Sequence, residues 1–314
     1  MMNHGRPVGR RSWLSGVSSL ALGAACSEQD TSSSVPSRRR ASLFIGGDVH
    51  LGHPRAGPLF EGLGEVLGGR AGIVNLEGPV GSAPAERVEG GVVTLSNHPD
   101  ALASLSRANV RAAGIANNHA RDLGPSSPTL TRESLVAAGI AVAGEGEIAV
   151  LEEGGLRIAI TAHDLAPHPP ELAVLRAARE KADALIATFH VTGPPSYVPR
   201  PELRGAVDLA LEAGASIVAA HGTHAVGPVE RRGSAIIAWG LGHLVFYCAC
   251  TEEVDGALLL VTLGGTSIEA AVVPIHAGLR GSAARPAKNA PLMFELLAAI
   301  GSSPLEVRGG VAFF

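Results

Sequence analysis

Aromatic residues are scarce in this 314-residue chain, at 4%, so a core must be built from Ala, Val, Leu and Ile. Charge is scarce as well. Charged residues make up 17%, and 25 basic against 29 acidic leaves no broad basic surface for counterion release, which excludes nucleic acid as the main partner. Neither a P-loop nor a G-x-S-x-G nucleophile elbow occurs, and the apolar run near the start, 13–25, is too short to span a bilayer. Gly144-x-Gly146-x-x-Ala149 has the spacing of a shortened dinucleotide fingerprint, but it stands between two strand-like runs and reads as a turn. Against these absences, 46% hydrophobic residues can fill a sizeable core and exclude disorder along the whole chain. Forty glycines and 21 prolines imply tight connections between short elements. Twelve histidines against two tyrosines and two tryptophans is the compositional oddity. Histidine offers a neutral nitrogen ligand and a proton carrier near neutral pH, so the question is where these residues cluster.

Residues 1–25 join a basic start (Arg6, Arg10, Arg11) to a moderately apolar run. Arg10-Arg11-Ser12-Trp13-Leu14 resembles a twin-arginine export signal. Gly23-Ala24-Ala25 before Cys26 resembles a lipoprotein cleavage box, although Leu22 lies one place further from the cysteine than usual. The expectation is export, lipidation at Cys26 and anchoring at the periplasmic or extracellular face of the cell envelope. Loss of 1–25 leaves 22 basic against 29 acidic residues, a mildly acidic mature chain. Residues 26–40 are Ser-rich, contain Pro36 and lack an apolar period, which predicts a flexible tether. Cys248 and Cys250 flank one residue in a strand-like stretch, near the far limit for a bridge, so two buried thiols are expected there.

From residue 41 strand and helix patterns alternate. Short β-rich runs occupy 42–47 and 72–75, a helix starting at Asn97 or Pro99 runs to 107, and a strand at 110–116 precedes a helix over 126–138 and a strand at 140–143. Near-continuous apolar runs at 156–162, 184–189, 216–220 and 235–239 suit central strands covered on both faces, with helices at 170–181 and 201–212 between them. Strands at 257–263 and 267–274 are joined by Gly264-Gly265-Thr266, a hairpin signal. The alternation predicts one α/β domain over 41–275. The extension 276–314 carries a Gly/Ala/Pro-rich segment and a helix at 291–300, which leaves it either packed back on the domain or loose around 277–289.

Polar groups gather where strands end, the place where open α/β sheets present their sites. They are Asp48 and His50, Asn75 and Glu77, Asn117-Asn118-His119, His190, and His221 with His224. Asp48 and His50 are two apart, so an extended backbone points them the same way and lets them grip one ion. A carboxylate, an amide oxygen and several imidazoles form a mixed donor set suited to Mn, Fe or Zn. Two such ions about 4 Å apart can share a hydroxide and clamp an ester during in-line attack. Each motif alone is as easily a cap or a turn, Asn117-Asn118 included; the ordered set carries the reading.

The series GGDVHLG (46–52), NLEGPV (75–80), ANNHARDLG (116–124), AGEG (143–146), FHVTGPPSY (189–197), AHGTHAVGPVE (220–230) and WGLGHLVF (239–246) resembles the CapA family of poly-γ-glutamate and capsule biosynthesis proteins, in the calcineurin-like metallophosphoesterase superfamily. The resemblance covers about 41–250. It implies an α/β fold, a metallophosphoesterase-like layered sandwich with mixed β-sheets flanked by helices. It also implies two divalent ions: Asp48 and His50 on the first with His224 returning to it, Glu77 in place of the bridging aspartate, and Asn118, His190 and His221 on the second. His119 would protonate the leaving oxygen or stabilise the transition state, and Asp122 either orients that imidazole or caps a turn. Asn75 and Asn117 would support the ligands, and His243 is either a supporting donor or a ligand. His163 and His168 read as surface or loop residues.

Three features depart from the family pattern. The D-x-H is more complete than in many relatives. The usual H-W-G-x-E is His190-Val191-Thr192-Gly193-Pro194-Pro195, and the usual L-G-N-F is Leu241-Gly242-His243-Leu244. The expected function is metal-dependent phosphoester hydrolysis in assembly of a surface polymer, with that polymer or a phosphoester as substrate and a membrane-bound capsule synthesis complex as partner. The rivals are a non-catalytic polymer-binding or scaffold lipoprotein and a metal-dependent amide hydrolase on γ-glutamyl polymer.

Overall fold

A computed structural model describes residues 39–53, 58–84, 86–89, 92–166, 168–252, 254–264 and 268–314. The expected export signal, the lipidation site Cys26 and all but the last two tether residues lie outside them. Those two are attached: Arg39 pairs with Asp183 at 3.2 Å and Arg40 with Glu269 at 2.7 Å. No described helix is long and apolar enough to cross a membrane.

The apolar runs fold into two mixed sheets. Across the first run Glu306–Arg308, Val311–Phe313, Glu269–His276, Asp255–Leu263, Ala41–His50, Ala71–Leu76, Val110–Gly114 and Ala141–Ala143, with His243–Phe246 pairing alongside Ala41–His50. The second runs Val229–Arg232, Ala235–Ala238, Ile217–His221, Ala184–His190, Leu156–Asp164 and Ala149–Glu153. In the first, parallel strands run from Ala41–His50 to the edge at Ala141–Ala143 with antiparallel strands on the other side; in the second, parallel strands are flanked by an antiparallel strand at each edge, so the carboxyl ends of the parallel strands gather on one side of each sheet.

The sheets share one core. Leu43, Ile45 and Ile73 of the first pack with Ile158, Ile186 and Ile217 of the second, all buried. The outer face of the first sheet is covered by Phe44, Val74, Leu102, Leu105 and Leu135, the last three from the Pro99–Leu102, Ala103–Arg107 and Ser127–Ala137 helices. Helices Leu172–Glu180 and Pro201–Glu212 cover the second sheet through Leu175, Leu203 and Val207. The result is a layered α/β sandwich. Because strands are covered on both faces they read as unbroken apolar runs, as in Ala184–His190, buried throughout. Four of the scarce aromatics, Trp239, Phe44, Phe189 and Phe246, are fully buried, all of them outside the core that the two sheets share. Prolines open helices, where a missing N–H costs nothing. The tail folds back: Met293, Phe294 and Leu297 of helix Ala290–Ala299 join the shared core.

Several expectations change. The 97–107 helix is a 3₁₀ turn followed by a short α-helix, and its cap is His98, whose side chain accepts from Asp100 N. Of the expected hairpin turn, residues 265–267 lie outside the described set. Cys248 and Cys250 are not two buried thiols but a disulfide: the strand ends at Phe246, and the turn beyond it brings the Cα atoms to 5.2 Å, inside the bridging range. His163 is half-buried and not in a loop; it lies on strand Leu156–Asp164 against Phe189, its Nε2 buried without a hydrogen-bond partner.

Burial holds the His163 imidazole down at about 4. An unfolded imidazole titrates near 6.5, so between about 6.5 and about 4 the unfolded chain takes up a proton that the folded chain refuses. Stability must therefore fall as the pH drops through that window. In urea unfolding at pH 7 and pH 5, wild type should lose more stability on acidification than His163→Gln; equal losses would contradict the assignment.

Candidate metal centre

The predicted residues converge at the carboxyl ends of the two sheets, around a carboxylate with no exposed surface. Asp48 sits near the end of strand Ala41–His50. Asn75 Nδ2 donates to its Oδ1 at 2.8 Å, and Gly222 N, from the other sheet, donates to its Oδ2 at 3.0 Å. His221 Nδ1 stands 3.5 Å from Oδ1. Two glycines permit this. A Cβ on Gly47 would collide with the Gly242 carbonyl oxygen, which accepts from Asp48 N at 2.9 Å. Gly222 has φ +69°, and a Cβ there would meet the His190 ring and the Val191 carbonyl.

The other donors are laid around this carboxylate. His190 and His221 end adjacent strands in register, and His190 Nε2 lies 2.7 Å from Asn118 Oδ1. Asn75 Nδ2 also reaches His190 Nδ1 at 3.4 Å. His224 Nδ1 lies 3.2 Å from His243 Nε2, and one ligand atom from each of Asp48, His224 and His243 falls within 4.8 Å of the others. His224 holds a left-handed backbone, φ 52°, which costs a non-glycine residue on the order of 1 kcal/mol. Glu77 is buried, with its Oε1 3.9 Å from His119 Nε2; His119 Nδ1 in turn lies 2.7 Å from Asp122 Oδ2. Asp122 also accepts from Leu95 N at 2.6 Å, so it is an orienting group fixed from two sides.

His50 Nε2 lies 2.9 Å from the Ser96 carbonyl, and strand His243–Phe246 accommodates one extra residue, Leu244, where it pairs with Asp48 and Val49. His243 joins Asp48 and His224 in the grouped donor set. Asn117 is a support: its Nδ2 donates to Leu76 O at 2.9 Å and Asn75 Oδ1 at 3.3 Å. Sequence reading assigned Asn97 only to a helix start, and missed its role. Its Oδ1 accepts from Leu51 N at 2.6 Å, and its Nδ2 donates to Glu77 O at 2.9 Å and Gly78 O at 2.8 Å. His168 is exposed, as expected.

Electrostatics separate these groups. Burial alone would raise the Asp48 carboxyl, but the His221, His190 and His243 imidazoles outweigh it and hold Asp48 well below the usual carboxylate range. Glu77 is pushed well up by burial, then by the charges of Asp48 and Asp122. Burial lowers His190 to about 3, against the pull of Asp48 and with help from His221, His224 and His119. A neutral His190 keeps a lone pair for a metal. Glu77 Oε2 and His221 Nε2 are buried with no hydrogen-bond partner, a desolvation cost of about 1–3 kcal/mol each that a cation would remove. These residues fit divalent metal, and their mixed oxygen and nitrogen donors suit Mn, Fe or Zn.

Asn97 gives a stability test of the cradle. Asn97→Ala strands the Leu51 amide and two carbonyls beneath Glu77, so unfolding free energy should fall by about 2 kcal/mol or more in urea titration. A change under about 0.5 kcal/mol would show that the tie is incidental.

The family model described as bacterial capsule synthesis protein PGA_cap matches residues 42–168 and 171–248. None of the curated proteins matches the chain. Among solved structures, a hypothetical protein from Thermus thermophilus is similar, at 13% identity over 74% of this chain and 99% of that one, with a TM-score of 0.49. The family match spans most of the chain and takes in every strand end that brings a donor to Asp48, so the chain belongs to the PGA_cap family of bacterial capsule synthesis proteins, the CapA family of the metallophosphoesterase-like superfamily.

Proposed function

We propose that this protein is a metal-dependent hydrolase of phosphoester bonds in capsule or poly-γ-glutamate assembly, exported and lipid-anchored through Cys26 at the cell envelope beside a membrane-bound synthesis complex. The observation that carries the chemistry is the convergence of Asp48, Glu77, Asn118, His190, His221, His224 and His243, with orphaned donor atoms on Glu77 and His221. Asp48, His224 and His243 would hold one divalent ion, Asn118, His190 and His221 a second, and Glu77 would lie between. When bound, such ions polarise an ester oxygen and make water a stronger acid at neutral pH.

The remaining residues supply position and protons. His119 Nδ1–H donates to Asp122; in the imidazolium form its Nε2–H faces the cleft and can pass to a departing oxygen, leaving a neutral ring. Asn75 and Gly222 hold Asp48 from opposite sheets, so its two oxygens keep their orientation as substrate enters. His50 buttresses the site through Ser96 and Phe246.

The test is a panel of phosphoesters and γ-glutamyl peptides assayed side by side with added Mn²⁺. Wild type should bind two divalent ions per chain and cleave phosphoesters. Asp48→Asn and His190→Ala should lose both metal and activity, whereas His119→Ala should keep metal and lose about 10²–10⁴-fold in kcat. His243→Ala should release an ion that His50→Ala retains. Fewer than about one ion per chain after reconstitution would leave a polymer-binding scaffold. Cleavage of γ-glutamyl peptides alone would make the protein an amide hydrolase.

A further inference from the structure

A second donor cluster stands outside the centre. Glu86 opens the strand Glu86–Glu89, which pairs with Val92–Leu95, and Leu95 packs against Phe246 and the buried Cys248. Glu86 Oε2 accepts from Ala249 N at 2.7 Å, which draws the carboxylate onto the turn holding both cysteines. A Glu86 oxygen and the sulfurs of Cys248 and Cys250 all lie within 4.8 Å of one another, and Cys250 opens to solvent. In this structure the sulfurs are bridged.

We propose that Glu86, Cys248 and Cys250 form a redox-gated site for a thiophilic cation of the zinc type, closed by the disulfide and opened by its reduction. A bridge between residues two apart closes so short a loop that it restrains the unfolded chain little, which leaves the chemistry of the pair as its use. Two thiolates and a carboxylate are a zinc-type donor set, with the fourth position left to water. Tetrahedral zinc with sulfurs at about 2.3 Å separates them by roughly 3.8 Å, a span that Cα atoms 5.2 Å apart can deliver. The gating balances. A dithiol gives two electrons and two protons to the bridge and leaves as its own cyclic disulfide; the cation then displaces the two thiol protons. The cluster is also coupled to the centre. Leu95, packed on Cys248, donates to Asp122, and Phe246 lies against both His50 and His243.

Cobalt separates this site from the centre, because no residue assigned to the centre carries sulfur and only thiolate gives sulfur-to-cobalt charge-transfer absorption. The full chain is reduced with a dithiol, freed of it by gel filtration without oxygen, and titrated with Co²⁺. Reduced wild type should develop the band and lose it to equimolar Zn²⁺, while oxidised protein shows none. Cys250→Ser changes an exposed residue and leaves Cys26 and Cys248 in place, and it should abolish the band. Glu86→Gln should weaken Co²⁺ binding about tenfold or more. No band in reduced wild type, a band that survives Cys250→Ser, or unchanged affinity in Glu86→Gln would each overturn the proposal.

Discussion

The buried Asp48 carboxylate is the interaction on which the rest of the site depends. A charge with no exposed surface is costly unless every oxygen is engaged, and here the engagement crosses the sandwich: Asn75 from one sheet, Gly222 and His221 from the other. The two sheets are joined along their length by apolar contacts, which set separation but little else. At the carboxyl end a charge-assisted contact fixes one sheet's register against its neighbour, because hydrogen bonds to an ionised acceptor are short and directional. The glycines at 47 and 222 follow from this. Each removes a side chain where backbone must approach the carboxylate or the His190 ring.

Protonation states then follow from one another. Asp48 stays ionised because imidazoles surround it, and its charge lies near Glu77, whose carboxyl rises in response. His190 is kept neutral by burial although Asp48 favours its charged form. Two carboxyls with opposite tendencies beside a neutral imidazole make an arrangement tuned toward cation binding. A carboxylate oxygen of Glu77 and an imidazole nitrogen of His221 are buried there without hydrogen-bond partners, a need that a cation would meet.

Much of this was legible in the chain because covered parallel strands are written as unbroken apolar runs, and the residue that ends such a run must face the sheet's carboxyl edge. His190 and His221 are the clearest cases, each the last residue of its strand. What stayed hidden depends on contacts between distant segments. Asn97 looks like any helix-start residue until Leu51, Glu77 and Gly78 are brought to it. Strands Glu86–Glu89 and Val229–Arg232 carry too many charges to show an apolar run, and His243 begins a four-residue strand too short to announce itself. His243 comes opposite Asp48 only through strand pairing, with Leu244 bulged beside it, and sequence spacing does not show that neighbourhood. The cysteines failed for a related reason, since an extended backbone was assumed where the chain turns.

The departures from the family pattern can be sorted by the same dependence. Segments tied to Asp48 have little freedom, because moving one orphans a buried charge. The segment after His190 has lost the family's Trp and acid, and it is held by other means: Arg200 Nη2 donates to Pro194 O at 2.7 Å, and Ser196 N to Thr223 O at 3.0 Å. Both contacts end on main-chain acceptors and only Arg200 contributes a side chain to them, so they fix the course of the loop without dictating the side chains at 194 and 196. Tyr197 and Val198 are exposed on it, next to Ser196, which is bonded to the His221 to His224 turn at Thr223. The rim is therefore where sequence can change without cost to the cradle, and substrate choice in this chain should be sought in 192–200 rather than among the metal-directed residues.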